Sequence, residues 1–382
     1  MHCVDSLSLW WRRNAASDRA STRSRAVARR RLSVPAAEHV DVVGGGSDGE
    51  TLDLSRRRHE PIPLVDLTLP PARLVPQLRA ACEYPGFFFL TGLPRSTLDA
   101  KDGAFAAARR FYDQPLASKM ELTNRPELQY RVRDANGRSV PVPATGNGYR
   151  SVGGDAHFAN DSRESFNVGR EPLAPGEDPP YANAWPGEAT LPGFRSAVLA
   201  HQDEQVALAV RLRGLIALAL GVDAGFFDRP GLFDRPTYQT GMVRYNEQRS
   251  DPSAGLFSIR PHADGGIFTL LYTDGEPGLH ICPEKHVAPH ARQWIAVEPR
   301  ADAAIVNLGT ELERWSNGRF RATLHAVVNE SGRGRISLPF FYETNIDATI
   351  EPLCHDGEPA RFPPSSPAAN LLAGLCGSRR IV

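Results

Sequence analysis

The 382-residue chain has few cysteines, no surplus of either charge and no long uninterrupted apolar run. Its five cysteines are scattered without a C-x-x-C pair, which fits a reducing compartment better than a disulfide framework. The longest apolar stretch, 206–222, contains two arginines and is shorter than the roughly 20 residues that span a bilayer. We therefore expect a buried helix at this stretch and no membrane span.

Lysine plus arginine and aspartate plus glutamate both number 44, so the formal net charge at pH 7 is zero. Residues 1–34 hold eight of the basic residues and only two of the acidic ones, which leaves 36 basic and 42 acidic residues for the remainder. A neutral-to-acidic body excludes a broad nucleic-acid or anionic-membrane face, because either needs a concentrated basic surplus. We expect a small-molecule partner, no nucleic acid and a monomer.

The composition divides the chain into four regions. Residues 1–60 are rich in arginine and serine, which predicts either a disordered leader or an organellar transit peptide. Residues 61–236 form a region of helices and loops, 237–350 a β-rich core, and 351–382 a C-terminal tail. The protein is expected to be intracellular, either cytoplasmic or organellar.

The fold class follows from the periodicity of apolar residues. Three amphipathic or apolar segments predict helices near 72–83, 98–112 and 194–220, whereas 124–180 is rich in glycine and proline and is expected to be mostly loop. Eight short β-rich runs follow residue 237, which is typical of a β-sandwich or barrel. The sequence predicts a mainly β protein with flanking helices.

Two histidines and an aspartate carry the strongest chemical signal. His262 and Asp264 form an H-x-D on a predicted strand, where alternation points both side chains to the same face. His325, on a later predicted strand, is placed to supply a third ligand. An isolated H-x-D often arises by chance, but two imidazoles and one carboxylate on one side of a metal leave positions open, as in non-haem Fe(II) oxygenases.

A carboxylate-binding pair follows ten residues after His325. Arg335 and Ser337 share a face of one predicted strand, so the guanidinium and the hydroxyl could bind one carboxylate together. Tyr245, just upstream of the H-x-D, is a further candidate donor to the same anion. The combination of H-x-D, a distant histidine and R-x-S is far more specific than any of its parts.

With these motifs in place, the sequence resembles the 2-oxoglutarate- and Fe(II)-dependent dioxygenases of the isopenicillin N synthase-like branch. The resemblance covers nearly everything from Pro61 to about Asp347. The segments that carry it are AACEYPGFFFLTGL, PHADGGIFTLLYTDGEPGLHI, ELERWSNGRFRATLHAVVN and RISLPFF.

The resemblance implies a double-stranded β-helix, or jelly roll, braced by N-terminal helices. It implies that His262, Asp264 and His325 bind Fe(II) and that Arg335, Ser337 and Tyr245 hold the distal carboxylate of 2-oxoglutarate. The implied reaction couples decarboxylation of 2-oxoglutarate by O₂ to hydroxylation, desaturation or ring closure of a small molecule. Several departures, among them Val243 and Ala326, separate the chain from well-known plant subgroups and leave the substrate open.

Three alternatives remain at this stage. Isopenicillin N synthase and the aminocyclopropane carboxylate oxidases also carry R-x-S but use O₂ without 2-oxoglutarate. A non-catalytic jelly-roll binding module is the alternative from another class. The third alternative is a separate zinc site, formed by four residues whose spacing fits no usual zinc finger: His280, Cys282, His286 and His290.

Substrate contacts are the least defined part of the prediction. The resemblance implies a pocket lined by the N-terminal segment, the loop after Gly148 and the C-terminal tail. Candidates for substrate contact are Tyr149, Arg150, His280 and Phe341.

Overall fold

The structure is a computed structural model that describes residues 52, 57–58, 60–123, 129–133, 139–143, 147–153, 161–172, 183–355 and 357–370. Most of the predicted leader, and the final part of the predicted C-terminal tail, lie outside the described residues.

Within the described part, the longer helices coincide with the predicted ones and begin or end within three residues of them. The helices are α1 (Pro71–Glu83), α2 (Arg95–Tyr112), α3 (Leu116–Met120), α4 (Phe194–Leu220) and α5 (Thr310–Trp315). Helix α4 ends at Gly221, whose φ of 83° is the left-handed conformation that glycine adopts without steric cost. Among these residues, no helix is both long and apolar enough to cross a membrane.

The strands are short and concentrate in the second half of the chain. They are β1 (Leu64–Asp66), β2 (Phe87–Thr91), β3 (Gln129–Arg133), β4 (Ser139–Pro143), β5 (Gly148–Arg150), β6 (Arg163–Gly169), β7 (Tyr238–Tyr245), β8 (Ile259–His262), β9 (Phe268–Thr273), β10 (Leu279–Cys282), β11 (Ile295–Ala296), β12 (Ala304–Leu308), β13 (Leu324–Val327) and β14 (Arg335–Tyr342).

Two sheets form the core. The major sheet has the order β1-β2-β12-β9-β14-β7-β6-β5 and the minor sheet the order β11-β10-β13-β8, while β3 and β4 pair separately. Side chains from both sheets form one apolar cluster between them, including Phe87, Val243, Leu279, Ile281 and Ile305. This arrangement confirms the predicted two-sheet, jelly-roll-like core with flanking helices. The face of the major sheet that meets the minor sheet is called the inner face below.

The opposite, outer face of the major sheet is covered by helices. Alternate residues of the same strands, such as Phe166, Leu270 and Leu338, join a large buried cluster with side chains of α1, α2 and α4. A strand in this sheet therefore has one face toward the helices and one toward the space between the sheets.

The structure differs from the predicted region boundaries in two respects. Strands β5 and β6 lie within the segment expected to be loop, and they extend the major sheet beyond β7. Strands β1 and β2 lie in the segments IPLVDL and GFFFLTGL, which the sequence predicts as strands, so residues before 237 supply four strands of the major sheet in all. At the other boundary, Arg58 pairs with Ile295 of β11, so residues of the predicted 1–60 leader already contact the jelly roll.

Candidate metal centre

His262, Asp264 and His325 converge at one end of the space between the sheets. His262 of β8 and His325 of β13 are directly paired across neighbouring strands, and their ring centroids lie 4.2 Å apart. Asp264 Oδ1 is 3.7 Å from His262 Nε2 and 3.6 Å from His325 Nε2. One ligand atom from each of the three residues lies within 4.8 Å of the others. Three donors this close together can bind one metal ion.

Each histidine is oriented through its other ring nitrogen. His262 Nδ1 lies 2.9 Å from the carbonyl oxygen of Arg260, and His325 Nδ1 lies 3.2 Å from that of Thr323. A backbone carbonyl can only accept a hydrogen bond, so these contacts fix Nδ1 as the protonated nitrogen and leave Nε2 as the metal donor. Phe87 packs edge-on against the His325 ring at 5.5 Å and restricts its rotation further.

Asp264 is held by two residues that the sequence did not single out. Its Oδ2 accepts hydrogen bonds from Thr269 Oγ1 at 2.5 Å and from Asn307 Nδ2 at 2.7 Å. Thr269 and Asn307 are direct partners across β9 and β12. With Oδ2 committed to them, Oδ1 is the oxygen left to face a metal. Only the pairing register of two distant strands reveals this support.

The protonation states suit a metal site. Burial, and then the charge of the neighbouring His325, lower the pKa of His262 to about 4 against the opposing effect of Asp264. Burial raises the pKa of Asp264, but the two histidines and the bonds from Thr269 and Asn307 outweigh it, so the net pKa is lowered. A neutral imidazole and an ionised carboxylate are the forms that bind metal. Two nitrogens and one oxygen are a donor set that fits ferrous iron.

Arg335, Ser337 and Tyr245 form a second group at the other end of the same space. Arg335 and Tyr245 are paired across β14 and β7, and the guanidinium lies 4.8 Å over the tyrosine ring. The Tyr245 and Ser337 hydroxyl oxygens are 3.2 Å apart. Arg335 is buried, and its Nη1 has no hydrogen-bond partner. A buried cationic donor without a partner is costly, so this group fits an anion such as the carboxylate of 2-oxoglutarate.

The four substrate candidates fall on different faces. Arg150 pairs with Ser165, which lies in one inner-face row with Val243 and Ser337. Phe341 pairs with Thr269 and therefore also belongs to the inner face. Both therefore remain candidates for substrate contact.

Tyr149 and His280 do not share a face with the triad. Tyr149 lies on the outer face, where it contacts Phe111 at 6.0 Å and donates to Glu164 at 2.6 Å. His280 pairs with Ala326, one position out of phase with His325, and its Nε2 lies 3.7 Å from Glu330. We therefore assign neither residue to the substrate.

The alternative zinc site does not assemble within the described part of the chain. His280 and Cys282 are buried on β10, whereas His286 and His290 are exposed on the following loop. Among the described residues, the triad is the one group of three or more potential ligands that lie close enough to hold a metal ion.

The fold and the site define a non-haem iron oxygenase of the two-sheet type, and comparisons with known proteins identify the family. Residues 238–344 match the 2OG-Fe(II) oxygenase superfamily, and residues 62–188 match the N-terminal domain called non-haem dioxygenase in morphine synthesis. The chain is 33% identical over 314 residues to the 2-oxoglutarate-Fe(II) type oxidoreductase hxnY of Emericella nidulans, covering 77% of this chain and 81% of that protein. It is 32% identical to azadirone synthase of Melia azedarach, over 75% of this chain and 83% of that protein.

A solved structure agrees with the fold. A full-length Neurospora crassa protein, solved in complex with alpha-KG, superposes with a TM-score of 0.68 at 24% identity, covering 86% of this chain and 99% of that one. The chain belongs to the 2OG-Fe(II) oxygenase superfamily. It is a dioxygenase that uses Fe(II) and 2-oxoglutarate to modify a small molecule, and the alternatives without 2-oxoglutarate or without catalysis are set aside.

Proposed function

We propose that His262, Asp264 and His325 hold the Fe(II), and that Arg335, Ser337 and Tyr245 bind the distal carboxylate of 2-oxoglutarate. One observation carries this assignment. The three donor atoms of the triad meet at one point, and every polar side-chain atom of the triad that faces away from this point already has a hydrogen-bond partner in the protein. Both Nδ1 atoms and Asp264 Oδ2 have protein partners, and the three remaining donors point at one another.

The residues of the chain hold the metal ligands and the co-substrate in position and exclude water from the site. Thr269 and Asn307 hold the carboxylate of Asp264, and the backbone carbonyls hold the imidazoles, so little ordering is needed when the metal binds. Arg335 supplies a buried, unpartnered N–H for the co-substrate. Apolar side chains between the sheets, such as Phe87 and Ile281, keep bulk water away and strengthen these charged contacts.

Bound Fe(II), with 2-oxoglutarate and O₂, supplies the oxidising equivalents while 2-oxoglutarate is converted to succinate and CO₂. The small-molecule substrate then undergoes hydroxylation, desaturation or ring closure. We infer that it lies against the inner faces of β5, β6 and β14, where Arg150, Ser165 and Phe341 are placed.

Substitution of Asp264 by alanine tests the assignment. The variant is expected to lose Fe(II) binding, measured by metal analysis after gel filtration, and to lose 2-oxoglutarate-dependent succinate formation. Asp99→Ala, on the exposed surface of α2, is the matched control and should behave as the native protein. Native iron content and succinate formation in Asp264→Ala would refute the assignment.

The compartment and the assembly state complete the proposal. We infer an intracellular monomer; the intracellular compartment is supported by scattered cysteines, of which Cys82 and Cys282 are buried and free. Light scattering coupled to gel filtration would measure the mass, and a value of twice 41.8 kDa would contradict a monomer.

A further inference from the structure

Glu343 continues the inner face of β14 beyond the end of the strand. Ser337 and Phe341 occupy that face four residues apart, and Glu343 is the next residue in the same phase. Its side chain is half-buried. A Cβ placed on Gly266 would lie 2.7 Å from Glu343 Cγ and 3.4 Å from its Oε1. Since Gly266 is two residues from Asp264, the carboxylate of Glu343 lies beside the turn that carries the metal ligand.

Glu311 lies next to the same turn and is a neighbour of Glu343. Its backbone N–H, in the first turn of α5, donates to the carbonyl oxygen of Gly265 at 3.1 Å. The side chain is 3% exposed. Its Oε1 accepts a long hydrogen bond of 3.4 Å from Asn370, and its Oε2 has no partner. Two glutamates therefore lie next to the Gly265–Gly266 turn, and the more deeply buried one retains an unpartnered oxygen.

The charge of these two carboxylates is poorly balanced. Other buried acids, such as Glu164 and Glu313, each pair with a lysine, but no lysine among the described residues pairs with Glu311 or Glu343. The charge of Arg314 favours ionisation of Glu311, yet burial and the neighbouring Glu343 outweigh it and raise the pKa of Glu311. A buried charge is costly, and a like charge nearby adds to the cost. A cation placed against the accessible member of the pair would relieve both costs.

We propose that Glu343, with Glu311 as its neighbour, recognises a cationic group of the substrate, an ammonium or a guanidinium. The inference rests on the proposed function, because it places the cation beside the turn that follows Asp264. An organic cation fits better than a second metal ion, since the described residues bring only two carboxylates and no third strong ligand to this point. Glu343 is thus a specificity-determining residue that does not take part in the oxidation itself.

Matched probes that differ in charge but not in shape test this inference. The protein is loaded with Fe(II) and 2-oxoglutarate under nitrogen, and the binding of n-butylammonium and of n-butanol is measured by calorimetry. The native protein is expected to bind the ammonium at least ten-fold more tightly than the alcohol. Glu343→Gln should abolish that preference, and Glu311→Gln should weaken it. Glu351→Gln, an exposed glutamate, is the control and should leave the preference unchanged.

Two results would overturn the inference. One is equal or undetectable binding of the two probes by the native protein, and the other is an undiminished preference in Glu343→Gln. If Glu343→Gln keeps the preference and changes only the melting temperature, the two glutamates share a proton and serve stability alone. Binding of 2-oxoglutarate should be native in Glu343→Gln; its loss together with loss of Fe(II) would point to failure of the proposed site instead of the cation contact.

Discussion

The two faces of the major sheet use the same strands for different purposes. On β14, Arg335 and Ser337 project to the inner face, while Ile336 and Leu338 pack beneath the helices. On β9, Thr269 bonds to the metal-ligand carboxylate, whereas Tyr272 lies in the helix-side cluster. Successive residues of one strand therefore alternate between two roles: those on the inner face contribute to the site, and those on the outer face contribute to stability. The comparison predicts that inner-face substitutions impair activity in a folded protein, and that outer-face substitutions impair stability while activity persists.

The largest effect is expected for Arg335→Gln. The guanidinium is buried with Nη1 unpartnered, so its loss removes charge-assisted hydrogen bonds to the co-substrate. These bonds are worth about 2–3 kcal/mol of binding free energy, so the KM for 2-oxoglutarate, measured by succinate formation, should rise ~30- to 150-fold. The control is Arg333→Gln, two residues upstream and paired with Glu276 on the exposed surface. An unchanged KM in Arg335→Gln would show that this inner-face residue does not contribute to binding of 2-oxoglutarate.

Thr269→Val tests whether support of Asp264 is as necessary as the ligand itself. Valine keeps the shape but removes the donor to Oδ2, so affinity for Fe(II) should fall ~10- to 100-fold, measured by competition with a chelator. Thr269→Ser retains a hydroxyl and should recover most of the affinity. Thr91→Val, at a half-buried position of β2 where the hydroxyl makes only a 3.5 Å bond, controls for loss of a strand hydroxyl. Native affinity in Thr269→Val would show that Asn307 alone suffices.

Thr269 and Asn307 also show how far the sequence could predict the site. His262 and Asp264 are two residues apart, so local sequence is enough to group them, although β8 ends at His262 and Asp264 lies just beyond it and not on the strand as expected. His325, Arg335 and Ser337 are reached through the spacing of a known family. Thr269 and Asn307 escape prediction, because their meeting depends on the register between β9 and β12, which no local pattern encodes.

The errors of the sequence-based prediction have the same origin. Tyr149 is a candidate beside Arg150, but the pairing of β5 with β6 puts adjacent residues on opposite faces, so one of the two has to point away from the site. Strands β5 and β6 are expected to be loop because glycine and proline surround them. Their strand character comes from the pairing of β6 with β7 and of β5 with β6, not from their own composition.

On the outer face, His201 should make stability depend on pH. Burial, and then the charge of Lys101, lower its pKa from 6.5 to about 4. The unfolded chain binds the proton more readily than the folded one. The contribution of neutral His201 to the free energy of unfolding is therefore complete above pH 6.5, and up to about 3 kcal/mol of it is lost as the pH falls toward 4. Urea unfolding at several pH values should show that loss, and His201→Leu should reduce it. Exposed His290→Leu is the control, and an unchanged slope in His201→Leu would contradict the assignment.

The smallest effect is expected for Tyr149→Phe, which tests the comparison at a substrate candidate that lies on the outer face. The hydroxyl donates to Glu164, which also pairs with Lys119 at 2.8 Å. Loss of one bond in this retained network should reduce the free energy of unfolding by about 1–2 kcal/mol and leave the KM for 2-oxoglutarate and the succinate yield native. Tyr84→Phe removes a comparable bond to Glu284 from a tyrosine that is 41% exposed, so it should cost less. A loss of turnover in Tyr149→Phe without a loss of stability would mean that the outer face also takes part in catalysis, because the hydroxyl's bond to Glu164 lies on the helix side of the sheet.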